Sequence, residues 1–157
     1  MAINKQPVFT ASPILRVTRI PANELNTFDP SSATTNSVDI VTASDSFGTL
    51  IERITIHPMV VPGGNGYHVI TSKVMYIILY DNGVGKSSIL ATKKWDTFNM
   101  DSTFTEPPYW QLTFEGGIIL KENDALYFNQ VQSDGSRPNA NGDGVTVTVE
   151  GSTYSAA

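Results

Sequence analysis

Residues 80–88 read YDNGVGKSS, and their reading decides the fold. They follow the apolar run KVMYIILY (73–80) and lead into SSILATKKW (87–95). Gly85, Lys86 and Ser87 spell the end of a phosphate-binding loop. Such a loop needs a first glycine five positions before the second, so that the backbone can curl around the phosphate. That position is Tyr80. It also needs a helix to follow, whose first N–H groups face the anion. Instead Ile89, Ala91 and Lys93 alternate with Leu90, Thr92 and Lys94, which is a strand pattern. Residues 80–88 are therefore predicted to be the tip of a β-hairpin turned by Asp-Asn-Gly.

The same two-residue period runs outward in both directions. Candidate strands are 14–20, SVDIVTA (37–43), LIERITIHP (50–58), YHVITSKVMYIILY (67–80), SSILATKKW (87–95), YWQLTFE (109–115), GIILK (117–121), DALYFNQVQ (124–132) and GVTVTVEG (144–151). Most are rich in Val, Ile, Thr, Tyr and Phe and are separated by turn residues such as Gly-Gly at 116–117 and Glu-Asn-Asp at 122–124. Pro21 and Pro30 bound a polar loop. No window carries a sustained helical stripe. The expectation is an all-β chain forming a single antiparallel β-sandwich or barrel of eight or nine strands.

Composition narrows the function classes. The 157 residues suit one domain, and 40% are hydrophobic, enough to build a core. Only 16% are charged, against about 25% in ordinary soluble domains, which suits a surface that packs against other protein. The net charge of −5 gives no general attraction for phosphate backbones, so no nucleic acid is expected as partner. The absence of cysteine excludes disulfides and thiolate metal sites. The start MAINKQPVFTASP lacks an apolar segment of signal-peptide type, and no apolar run approaches the ~20 residues of a spanning helix. No membrane partner is expected.

No catalytic constellation emerges. His57 and His68 flank the VVPGGNG turn but define no zinc site, because a third ligand such as Asp45 or Glu52 would be arbitrary. The motif G-x-S-x-G is missing. Glu52 and Asp39 alternate with apolar residues, which turns them outward. NANGDG (139–144) has oxygen-rich spacing without the closing glutamate of a calcium loop. No cofactor is expected, and the chain reads as no enzyme. Trp95, Tyr109 and Trp110 are the candidate glycan contacts, as a stacking platform for sugars. The competing reading sends Trp110 into the core with Leu112 and Phe114 and leaves Tyr109 at an edge.

Several phrases together resemble a known group. PVFTASP (7–13), TTNSVDIVTASDSFGTLIERITI (34–56), MYIILYDNG (75–83) and LTFEGGIILKENDALYFNQVQ (112–132) look like the small all-β virion proteins of tailed bacteriophages, of the capsid decoration type. The matching positions are Ile40 to Ala43, Thr49 to Glu52, Ile54, Leu79 to Asp81, Gly83, Ile118 to Leu120 and Leu126. The chain departs from the pattern in a longer 61–73 region and a polar 133–144 loop. The resemblance implies a jelly-roll-like sandwich that decorates and stabilises a phage head. It implies a trimer bound to the major capsid protein on the outer capsid surface of the virion, synthesised in the host cytoplasm. A fibre- or tail-associated role, or a carbohydrate-binding module on the virion, is the alternative.

Three segments are expected: an extended N-terminal arm at 1–12, a β-sandwich domain at 13–151 and a C-terminal tail at 152–157. Val8, Phe9 and Ile14 are more apolar than a free arm needs, which makes them candidate interface residues.

Overall fold

The computed structural model describes residues 9–21, 37–44, 47–59, 68–70, 72–100, 108–132 and 144–156. Ten strands occur among them: β1 (Phe9–Ile20), β2 (Val38–Thr42), β3 (Thr49–Pro58), β4 (His68–Ile70), β5 (Lys73–Asp81), β6 (Lys86–Trp95), β7 (Phe98–Met100), β8 (Trp110–Leu120), β9 (Ala125–Gln132) and β10 (Val145–Ala156).

The hairpin at 80–88 is present, and the whole fold nests around it. Asp81 and Lys86 are register partners across the turn. The turn closes as the Gly85 N–H donates to the Asp81 carbonyl at 2.8 Å and the Val84 N–H donates to Asp81 Oδ1 at 3.1 Å. Working outward, β4 pairs with β7, β3 with β8, β2 with β9 and β1 with β10, all antiparallel. Each strand before the turn is partnered by the strand about equally far after it. The nested ribbon is then wound so that β10 also pairs with β3 and β9 with β5.

The result is two four-stranded sheets, β1-β10-β3-β8 and β2-β9-β5-β6, with β4 and β7 as a separate ribbon. Two facing antiparallel sheets of eight strands, reached by winding one long double strand, are a jelly roll. The chain is thus an all-β antiparallel sandwich of jelly-roll type, as its sequence led us to expect.

Alternation builds the core. Val145, Val147 and Val149 of β10 point inward, as do Ile54 and Ile56 of β3, Met75 and Ile77 of β5, and Leu126 and Phe128 of β9. Each such side chain contributes about 1.5–3 kcal/mol by leaving water. β5 lies between β9 and β6, so a strand apolar on both faces does occupy the sheet interior. Ile77 belongs to the core with Met75, while Ile78 on the opposite face is also fully buried within the single chain. Its burial therefore requires no neighbouring subunit.

Three boundaries differ from the sequence reading. Residues 109–115 and 117–121 form one strand, β8, because Gly116 and Gly117 make a bulge at φ of 77° and 74° and not a chain reversal. Residues 9–12 are paired in β1, opposite Ala156 to Thr153, so the sandwich starts before residue 13. The presumed tail is the end of β10 as far as Ala156. Residues 1–8, the loop around Pro30, Asp45 and NANG at 139–142 lie outside the described residues.

Candidate functional site

A recess lies between the two sheet edges among the described residues. β1 is the outermost strand of one sheet and β2 the outermost strand of the other. Where these edges face each other the sandwich leaves a space of about 380 Å³. Ile14, Leu15 and Arg16 of β1 form one wall, and Val41 and Thr42 of β2, with Ser44 beyond it, form the other. Thr49 of β3 and Thr153 of β10 complete the lining and are register partners.

The chemistry of this lining is specific. Val41 is buried and Ile14 packs against the core, so one part of the wall is apolar. Thr42, Ser44 and Thr153 bring hydroxyl side chains to it. Thr49 is only 1% exposed, and its hydroxyl has no hydrogen-bond partner. The Thr42 hydroxyl donates to Asp39 Oδ2 at 2.7 Å. Arg16 is exposed and makes no ion pair among the described residues, and none of the described lining residues is an acid.

A second polar assembly is structural. Asp124, 7% exposed, accepts the Asn82 N–H on Oδ1 and the Lys121 N–H on Oδ2, both at 3.0 Å. Its carbonyl accepts the Ala43 N–H at 2.9 Å, and the Ala43 carbonyl accepts the Asn123 N–H at 2.8 Å. One residue thereby ties together the end of β2, the β5–β6 tip and the β8–β9 turn. Lys73 is fully buried, with its ammonium 5.7 Å from the centre of the Trp95 ring, a cation–π geometry.

Two ionisable groups depart from their ordinary behaviour. The hydrogen bond and charge of Glu150 raise the Arg53 pKa, and the pair bridges β3 and β10 on the outer face. Burial raises the phenol of Tyr127, helped by the negative charge of Asp39 and by Tyr80. The Tyr80 and Tyr127 rings meet edge-on at 6.5 Å.

The sequence-predicted residues fall as follows. Trp95 and Trp110 are both core residues, 4% and 7% exposed, while Tyr109 is 56% exposed and stacks on His57 at 5.7 Å. The three do not share an exposed platform, because Trp110 lies in the inward register of β8 beside Ile56. His68 lies in β4 opposite Met100 and its side chain is outside the described set. Of the candidate interface residues, Val8 is not among the described residues, Phe9 begins β1, and Ile14 lines the recess. Among the described residues no group of three or more His, Asp or Glu could hold a metal ion. Sequence reasoning missed Arg16, Thr49 and Asp124. Only the pairing of β1 with β10 and of β3 with β10 brings the first two together.

No protein-family model matches the chain, and no curated protein does. Among solved structures the chain is similar to one from the semi-empty virus-like particle of giant freshwater prawn Macrobrachium rosenbergii nodavirus, at 10% identity and a TM-score of 0.36, over 99% of this chain and 98% of that one. That likeness carries no argument about family or function.

Proposed function

We propose that this chain is a non-enzymatic structural protein of a virus particle, most specifically a decoration protein that binds and stabilises a phage head. Its partners in this reading are further copies of itself, as a trimer, and the major capsid protein, on the outer surface of the virion. The observation that carries the reading is where large apolar side chains stay exposed. Leu15 and Val17 on β1 are 70% and 58% exposed; Tyr109, just before β8, and Ile119 on β8 are 56% and 66% exposed. These strands are the two edges of one sheet. Arg19 is exposed on the first edge and Glu115 on the second, so the edges are complementary in charge.

A head-to-tail contact between unlike edges closes into a ring when its rotation permits, which suits a trimer. Burying four such side chains per contact adds a few kcal/mol each at most, about 1.5–3. Repetition over a lattice multiplies such contacts. The resemblance to phage decoration proteins and the low charge content agree with this role.

The test is light scattering of the wild type and of Leu15→Ser and Ile119→Ser, followed by occupancy on particles. A trimer weakened by either variant, with occupancy falling in step, supports the reading. A wild-type monomer that leaves particles undecorated would overturn it.

A further inference from the structure

We infer that copies of this chain join by main-chain pairing. The β1 edge of one copy forms an antiparallel ladder with the β8 edge of the next, so that the β1-β10-β3-β8 sheet runs on from copy to copy. The inference rests on the head-to-tail reading above and adds how the two edges are joined. It starts from what each edge leaves open. Neither β1 nor β8 has a second partner strand among the described residues, so each presents a row of main-chain N–H and C=O groups on its outer side. Natural sheets blunt such edges with bulges and prolines. β2, β6 and β8 each carry a register shift against a neighbouring strand. β1 carries none, and its 12 residues pair with β10 without a break. Its one proline, Pro13, lies outside the stretch 14–20. That stretch, with Leu15 and Val17 exposed, is an unblunted template for another strand.

β8 supplies the counterpart. Residues 110–113 pair with β3 in one register, ahead of the bulge at Gly116 and Gly117. Directions agree as well. Every neighbour in this sheet is antiparallel, so across four strands β1 and β8 run in opposite directions. Rotating a copy about an axis along the strands keeps those directions, and its β1 then meets the first copy's β8 antiparallel. Charge selects the partner. β1 carries Arg16 and Arg19 and no acid, whereas β8 carries Glu115 and no base. Pairing β1 with a second β1 would gather arginines with no acid to offset them, while pairing it with β8 joins opposite signs. Sheet continuity also requires outward side chains to meet outward side chains. Arg19 and Glu115 are both exposed, and their neighbours Ile20 and Phe114 turn to the core. A register with Glu115 opposite Val17 keeps that match. It sets Glu115 diagonal to Arg19, within reach of two long side chains. A ring closed in this way leaves neither edge open.

The full-length protein is compared as wild type, Arg19→Glu, Glu115→Arg and the double variant, by light scattering and amide hydrogen exchange. Both residues are exposed, so the variants keep the fold. Each single reversal is expected to weaken the trimer by about tenfold or more, because a modest effect recurs at every contact of the ring. The double variant restores it. In the wild-type trimer roughly every second amide of 14–20 and 110–113 points to the other copy. Those amides are expected to exchange about tenfold or more slowly than in Arg19→Glu at a concentration where that variant is monomeric. A trimer without this slowing would overturn the pairing and leave the decoration reading standing. A double variant that assembles no better than the singles would also overturn it. So would a dimer protected at 14–20 alone, which would mean that β1 pairs with itself. A monomer that still occupies particles would sink the pairing alone, whereas a monomer that leaves particles undecorated would sink the decoration reading with it.

Discussion

Gly151 on β10 lies against the main chain of Leu50 on β3 so closely that a Cβ built on it would overlap the Leu50 carbonyl oxygen. The cause is a bulge. Glu150 pairs with Arg53 and Gly151 with Ile51, which leaves Glu52 as an extra residue on β3. On the other flank Gly117 of β8 presses against the Leu50 side chain, where a Cβ would also collide. Glycine on both sides lets three main chains close around the bulge. Gly151→Ala is expected to destabilise by about 1–3 kcal/mol or more, read as a lower urea midpoint. Gly85→Ala is the control. It has a positive φ of 67° but open space around it, so its cost is about 1–2 kcal/mol from backbone strain alone. If Gly151→Ala is as mild as or milder than Gly85→Ala, the close approach is not what the site requires.

Asp124→Ala removes both carboxylate contacts that join the β5–β6 tip to the β8–β9 turn. Hydrogen bonds to a charged group contribute about 1.5–3 kcal/mol each, so the variant is expected to lose a few kcal/mol. Asp124→Asn keeps one acceptor oxygen and is expected to lose less. Hydrogen exchange gives the local readout: the amides of Asn82 and Lys121 lose protection in Asp124→Ala. Unchanged protection at both would show that the clamp is dispensable.

Ile77→Ala opens a cavity between the sheets and is expected to cost about 2–5 kcal/mol. Ile78 is equally buried but lies outside the central core, across from Tyr127 on β9. Its truncation is expected to cost less, since the neighbouring surface can close over the gap. Chemical denaturation of the two variants tests this order, and a neutral Ile77→Ala would contradict the sheet arrangement.

The phenol of Tyr127 gives a pH dependence with a definite sign. Its folded pKa is above the ordinary value of about 10, so the native state holds its proton longer than the unfolded state does. Native protein therefore binds more protons than unfolded protein in that window. Stability associated with the neutral phenol is complete below about pH 10 and falls as pH rises through the folded pKa. Spectrophotometric titration should show a late tyrosinate step that disappears in Tyr127→Phe. A titration with no difference between the two proteins would refute the assignment.

Lys86→Ala is expected to change stability by no more than about 0.5 kcal/mol, because the side chain is exposed at the hairpin tip. Adding ATP should leave the melting temperature of both proteins unchanged. A nucleotide-dependent rise that vanishes in the variant would restore the phosphate-loop reading.

The local structure was legible in the sequence for a simple reason. A strand's two-residue period and a turn's Gly and Asn are properties of neighbours along the chain. Tyr80 in place of a loop glycine, and the alternation of Ile89 to Lys94, were enough to make 80–88 a hairpin. The same period, repeated in the other segments, pointed to an all-β chain and marked 144–151 as a strand, whose Val145, Val147 and Val149 lie in the core. The same locality explains the misreadings. Gly116 and Gly117 carry identical turn chemistry whether they reverse the chain or bulge one strand, and only the continued pairing of Ile118 with Ile51 selects the bulge. Residues 9–12 and 153–156 look like loose ends until each is seen to be the other's partner.

The recess depends still more on tertiary structure. Arg16, Thr42, Thr49 and Thr153 carry no common motif, and they meet because β1 and β2 end their sheets side by side while β10 pairs with β3. Burial of the Thr49 hydroxyl and of Lys73 is likewise invisible in sequence, where both read as ordinary polar strand residues. Sequence alone determined most of the strands and the hairpin tip at 80–88, because those follow from short-range geometry. The winding of the nested hairpin decided which faces meet and which polar groups are buried between them, because contacts between distant residues exist only once the sheets have closed.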